Sequence, residues 1–124
     1  MNSVNKVILV GNLTRDPEPR KTEHNKAVCT FGLATNRIWT TETGKKREEP
    51  EYHRLVAFDK LAETCNQYLR KGRKVYVEGR LHTHTYTGTN GTEKSVTEVV
   101  LAEMVMLDRM PKDVREALDF QQPE

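Results

Sequence analysis

Glu51-Tyr52-His53-Arg54-Leu55-Val56-Ala57-Phe58-Asp59-Lys60-Leu61-Ala62-Glu63 runs on through Tyr68-Leu69-Arg70-Lys71-Gly72 to Val75-Tyr76-Val77-Glu78-Gly79-Arg80-Leu81, and this stretch decides the fold. It reads as strand, short helix, strand. In the first part Tyr52, Arg54, Val56 and Phe58 share one face by the period of two, and His53, Leu55 and Ala57 share the other. Asp59 is the expected N-cap, its carboxylate free to accept from first-turn N–H groups. Leu61, Cys65 and Leu69, with Ala62 and Tyr68 beside them, form an apolar stripe of helical spacing. Gly72 is expected to end the helix, with Arg70 and Lys71 at its negative dipole end.

On the N-terminal side, residues 4 to 13 alternate as a strand, with Val7, Leu9 and Leu13 on one face and Lys6, Ile8 and Val10 on the other. Apolar residues on both faces suggest a strand covered by a core and by a second subunit. Asp16-Pro17-Glu18-Pro19 breaks the pattern and predicts a loop. A second strand is expected from Ala27 to Asn36, with Ala27, Cys29, Phe31 and Leu33 on one face. Thr40 to Pro50 is polar and reads as a mobile hairpin tip. On the C-terminal side, a strand from Lys74 to about Tyr86 leads to a hairpin loop over residues 87–92, where Asn90-Gly91 favours positive φ. A last strand runs from about Ser95 to Leu107. The class is therefore all-β with one short helix. Five strands with that helix between the third and fourth is the order of an OB-fold Greek-key barrel.

With 124 residues the chain buries one core, assigned to residues 1–108, followed by a short polar tail over 109–124 in which Lys112 to Phe120 offers a marginal helix. Its formal net charge is only +2 although 31% of residues are charged, so any anion-binding surface must come from local placement. No secretory segment and no apolar run near the ~18 residues of a membrane span is present, which predicts a cytoplasmic protein. The two cysteines, Cys29 and Cys65, both fall at apolar positions and read as buried thiols.

Aromatic faces set between cations are what a surface needs to hold unpaired bases and their phosphates. Tyr52 and Phe58 suit stacking with Arg54 between them, but a barrel interior also wants aromatics, and the pattern leaves both readings open. Trp39 sits beside a polar hairpin where a core residue is unusual, and Tyr86 closes the fourth strand on a face with Arg80, His82 and His84. His82-Thr83-His84 presents two imidazoles on one face, as a zinc site would, but no third ligand is evident nearby. Solvated or phosphate-facing histidines are the better reading, and neither a metal nor a cofactor is expected. Gly44-Lys45 lacks the rest of a phosphate-binding loop, and no nucleophile–base pair carries a local signature, so no enzyme is expected.

The chain resembles the bacterial-type single-stranded DNA-binding family over about Val4 to Leu107. The resemblance rests on Val4-Asn5-Lys6-Val7-Ile8-Leu9-Val10-Gly11-Asn12-Leu13, Asp16-Pro17-Glu18, Phe31 to Thr35, Tyr52 to Glu63, Tyr68 to Leu81 and Thr97-Glu98-Val99-Val100, in that order and spacing. It implies an OB barrel assembled as a homotetramer that binds single-stranded DNA with little sequence preference during replication, recombination and repair, associated with the nucleoid. Carried across by position, it implies base stacking by Trp39, Tyr52, Phe58 and Tyr86. It implies phosphate contacts by Lys6, Arg54, Lys60, Arg70 and Lys71, with His82 and His84 standing where arginines are common. His53 and Tyr76 fall at positions resembling subunit contacts. The family's Gly/Pro/Gln-rich linker and acidic recruiting tip have no counterpart in Asp119-Phe120-Gln121-Gln122-Pro123-Glu124, so recruitment of replication and repair proteins through such a tip is not expected. The competing reading is an OB-fold primosome accessory protein acting mainly through protein partners.

Overall fold

The computed structural model describes residues 2–108; the expected tail, with its marginal helix, lies outside them. Strands β1 (Val7–Leu13), β2 (Glu18–Lys21), β3 (Ala27–Thr40) and β4 (Lys46–Phe58) are followed by helix α1 (Asp59–Tyr68) and strands β5 (Lys74–Thr87) and β6 (Glu93–Met106). β1 pairs with β5, β5 with β6, β4 with β3, and β3 returns to β1 through Asn12↔Ala34 and Leu13↔Leu33, all antiparallel. The remaining seam, β4 against β6, is parallel at Leu55↔Val99 and Val56↔Val100. Five strands thus close on themselves in the OB circuit, with the helix between the third and fourth strands of the barrel.

Alternation fills the interior. Leu13, Cys29, Phe31, Leu33, Leu55, Ala57, Val75, Val77, Val99 and Leu101 point inward, and α1 closes the barrel with Ala62, Cys65 and Leu69. Phe31 is wholly buried, so truncating it to alanine would cost about 3–5 kcal/mol. The two thiols are free and buried as expected. A hydrogen bond to Cys29, reinforced by burial, holds the Cys65 thiol far above the usual thiol range.

Closure demands two glycines at close approaches that the sequence pattern did not flag. A Cβ on Gly11 would lie 2.3 Å from the Ala34 carbonyl oxygen, where β1 meets β3. One on Gly79 would lie 2.2 Å from the Val100 carbonyl oxygen, beside the β-bulge at Glu78/Gly79. Overpacking of this kind costs about 1–3 kcal/mol.

Several local expectations change. The Asp16–Pro19 loop is shorter than expected, because Glu18–Lys21 pairs with β3 as an edge strand, where a proline is tolerated. Asp16 accepts from the Lys71 backbone N–H at 2.8 Å, tying that loop to the turn after the helix. The polar 40–50 tip is mostly strand: β3 and β4 stay paired to Thr40↔Lys46, since cross-strand partners such as Arg37↔Glu49 let a polar ribbon persist. Asp59 does not cap α1. Phe58 takes the N-cap position without a side-chain hydrogen bond, and Asp59 is the first helical residue at φ 57°, a left-handed conformation that aspartate tolerates. The helix ends at Tyr68, ahead of Arg70 and Lys71. Gly72, at φ 87°, serves the turn into β5 instead of the helix end.

Candidate functional site

On β4 exposure decides the open question about Tyr52 and Phe58, although Val56, between Arg54 and Phe58 on the same face, is buried. Tyr52 is 71% exposed and Phe58 44%, while Leu55 and Ala57, on the opposite face of β4, are fully buried. Tyr52 and Phe58 are surface aromatics, with Arg54 exposed between them on the same face. Burying that much aromatic surface on a ligand is worth more than leaving it in water.

The parallel seam sets β6 next to this face, and β5 follows. Glu98 on β6 sits opposite His82, one position from His84 on the same side of β5. The Glu98 carboxylate accepts from Arg54 Nε at 3.1 Å and stands 3.3 Å from His84 Nε2. His82 and His84 stack with ring centroids 5.9 Å apart, and among the described residues no group of three or more His, Cys, Asp or Glu is placed to hold a metal. Arg54, His84, Tyr86 and Val96 line an open cavity of about 310 Å³. A larger cavity of about 510 Å³, between β2 and α1, shares none of these residues. Tyr52, Arg54 and Phe58 on β4 and His82, His84 and Tyr86 on β5 therefore lie on strands that flank β6, with Arg54, His84 and Tyr86 meeting at the smaller cavity. Glu98 is the member that sequence reasoning passed over; its place in Thr97-Glu98-Val99-Val100, out of step with the inward Val99, was the available signal.

The other expected residues lie elsewhere. Trp39 is half-buried near the end of the β3–β4 ribbon, paired with Arg47, with the Arg37 guanidinium 4.8 Å above its ring. By alternation it belongs to the ribbon face opposite Tyr52. Lys60 is exposed two residues past Phe58, at the start of α1. Arg70 and Lys71 lie beyond the other end of that ten-residue helix, roughly 15 Å away. Arg70 folds back to donate to the Leu69 carbonyl at 2.7 Å. His53 is half-buried and bonded to Thr35 Oγ1 at 2.9 Å.

Lys6 and Tyr76 occupy a second exposed surface. Ile8 and Val10 on β1 stand beside Glu78 and Tyr76 on β5, which in turn face Glu103 and Val105 on β6. Ile8, Val10 and Val105 are all substantially exposed. The Tyr76 hydroxyl donates to Glu78, and Lys6 Nζ lies 3.6 Å from the same carboxylate. The hydrogen bond from Tyr76, and then Lys6, hold the Glu78 carboxyl below its ordinary value, while the same bond lifts the Tyr76 phenol.

A closed OB barrel with exposed aromatics set among cations on its outer wall is the architecture of an oligonucleotide- or oligosaccharide-binding module. Residues 4–107 match the single-strand binding protein family, and the chain belongs to that family. It is 45% identical over 105 residues to the single-stranded DNA-binding protein of Neisseria meningitidis serogroup A, covering 85% of this chain and 60% of that one. It is 46% identical over 105 residues to single-stranded DNA-binding protein 1 of Chlorobaculum tepidum, covering 84% and 65%. The match thus spans less than two thirds of those relatives' length. Among solved structures, a Plasmodium falciparum SSB complex with ssDNA superposes with a TM-score of 0.78 at 33% identity, covering 87% of this chain and 98% of that one. The single-stranded DNA-binding protein from Thermus aquaticus, a deletion mutant, gives 0.74 at 33% identity, covering 85% and 51%.

Proposed function

We propose that this protein binds single-stranded DNA with little sequence preference, by stacking and charge and without catalysis. The observation that carries this reading is the outer wall of β4, where Tyr52 and Phe58 are exposed on either side of Arg54. A duplex hides its base faces, whereas an unpaired strand can lay them on a phenol or phenyl ring, at about 1–3 kcal/mol per base. Because every base has a π-face, such contacts discriminate little among sequences. Arg54, with Lys60 and the histidines, meets the phosphates, so affinity falls as salt rises.

Arg70 and Lys71 would extend the phosphate track around the far end of α1, and Trp39 would reach the strand from the ribbon. Lys6, Tyr76 and the aliphatic surface of β1 would face a second copy, on the way to a homotetramer, and His53 would support the ribbon at that assembly. The role that follows is to keep unpaired strands extended and protected during replication, recombination and repair, in association with the nucleoid. The relatives named for single-stranded DNA binding, and the solved complex with ssDNA, support this reading.

Titration with oligo-dT while following Trp39 emission, repeated with duplex DNA and oligo-U, tests it. Quenching by the single strand, saturating at a fixed number of nucleotides per oligomer, is the expected result. Unchanged fluorescence together with unchanged sedimentation would refute the reading.

A further inference from the structure

The wall assigned to DNA contains a carboxylate at the centre of its cations. Three strands converge there: β4 brings Arg54, β5 brings His84, and β6 places Glu98 between them. The Glu98 side chain is only 12% exposed, against 46% for Arg54 and 45% for His84, so the acid lies beneath both side chains. Arg54 meets it through Nε. That leaves the pair of terminal amino groups, the part of a guanidinium suited to a phosphate, free of the carboxylate. A surface built only to attract phosphate would not carry a negative charge at this point, where it repels the ligand across a partly desolvated gap.

We propose that Glu98 is an electrostatic brake on strand binding: it offsets the charge of Arg54 on the wall that also carries His84, and so keeps the bound strand exchangeable. This rests on the single-stranded DNA reading above. Orientation of Arg54 is the competing role for the same residue, and the two differ in sign. Glutamine has the shape of glutamate and keeps an acceptor for Arg54 Nε, so Glu98→Gln removes the charge while sparing the geometry. If the brake dominates, the variant binds more tightly; if orientation dominates, it does not.

The test is anisotropy of labelled oligo-dT across a salt series at neutral pH, with melting temperature and sedimentation recorded for each variant. Glu98→Gln is expected to bind about fivefold more tightly at low salt. Its plot of log K against log salt should steepen by about 0.7–1.4, equivalent to one or two further phosphates neutralised. Glu98→Asp, which keeps the charge, should stay near the parent. In an Arg54→Ala background, Glu98→Gln should still tighten binding, whereas a residue that only orients Arg54 would then have no effect. Equal or weaker binding by folded Glu98→Gln, or no gain in the Arg54→Ala background, overturns the brake while leaving the DNA reading intact. Failure of the parent protein itself to bind oligo-dT overturns both.

Discussion

The barrel has two exposed surfaces that are both apolar in part, and they differ in how their charges are spent. Around Tyr52, Phe58 and Tyr86 the apolar groups are flat rings, and Arg54 and His84 share one recessed acid. Around Ile8, Val10 and Val105 they are aliphatic, and Lys6, Tyr76 and Glu78 already satisfy one another. Flat rings beside part-compensated cations suit a flexible anionic ligand made of planar bases. Branched aliphatics beside internally paired charges suit a rigid protein surface, which can exclude water without leaving a charge unpaired. One patch of exposed hydrophobic residues is thus not equivalent to another; the chemistry between them assigns the occupant.

The largest expected effect breaks the aliphatic surface. Val10→Asp would place an unpaired charge in the proposed subunit contact, costing about 3–5 kcal/mol, and sedimentation should show smaller species while the monomer stays folded. An unchanged oligomer would place the contact elsewhere. Next comes the aromatic wall: Tyr52→Ala should lose about 1–3 kcal/mol of oligo-dT affinity with no change in sedimentation. Loss of assembly in that variant would erase the distinction between the two surfaces.

A smaller effect concerns the histidines. A His82→Arg/His84→Arg protein, with a permanent charge at both positions, should bind oligo-dT more tightly than the parent at neutral pH and with a steeper salt dependence. No gain in affinity by that variant would remove the two positions from the interface. The smallest effect belongs to Glu78. Its carboxyl is held below the ordinary 4.5, so its contribution is present above that value and is lost as pH falls through the lowered one. The difference in melting temperature between the parent and Glu78→Gln should therefore shrink and vanish in acid; a difference that persists there would show that charge is not its source.

Much of the core was legible from residue periodicity. Cys29, Phe31 and Leu33 alternate inward, and Ala62, Cys65 and Leu69 follow the helical stripe, because burial imposes a regular spacing on the chain. The membership of the aromatic wall was only half legible. A period of two says that Tyr52, Arg54 and Phe58 share a face, but a barrel strand has an inner and an outer face, and both accept aromatics. The outward place of Glu98 was legible, but its partner was not, nor were the close approaches at Gly11 and Gly79: each acts on a residue remote in sequence, namely Arg54, Ala34 and Val100.

By itself the sequence determined the order of the five barrel strands, the helix between the third and fourth of them, most inward residues and the family resemblance, since these depend on local spacing and on residues read in order. Only the tertiary structure decided which side of β4 meets water, where Trp39, Arg70 and Lys71 lie relative to Tyr52, and that a carboxylate stands between Arg54 and His84. Those outcomes follow from ring closure and from the parallel register of β4 on β6, pairings between residues far apart in the chain that no local pattern encodes. The aromatic and cationic character of residues 52–58 was written in the chain; its exposure, and the acid beneath it, came from the barrel.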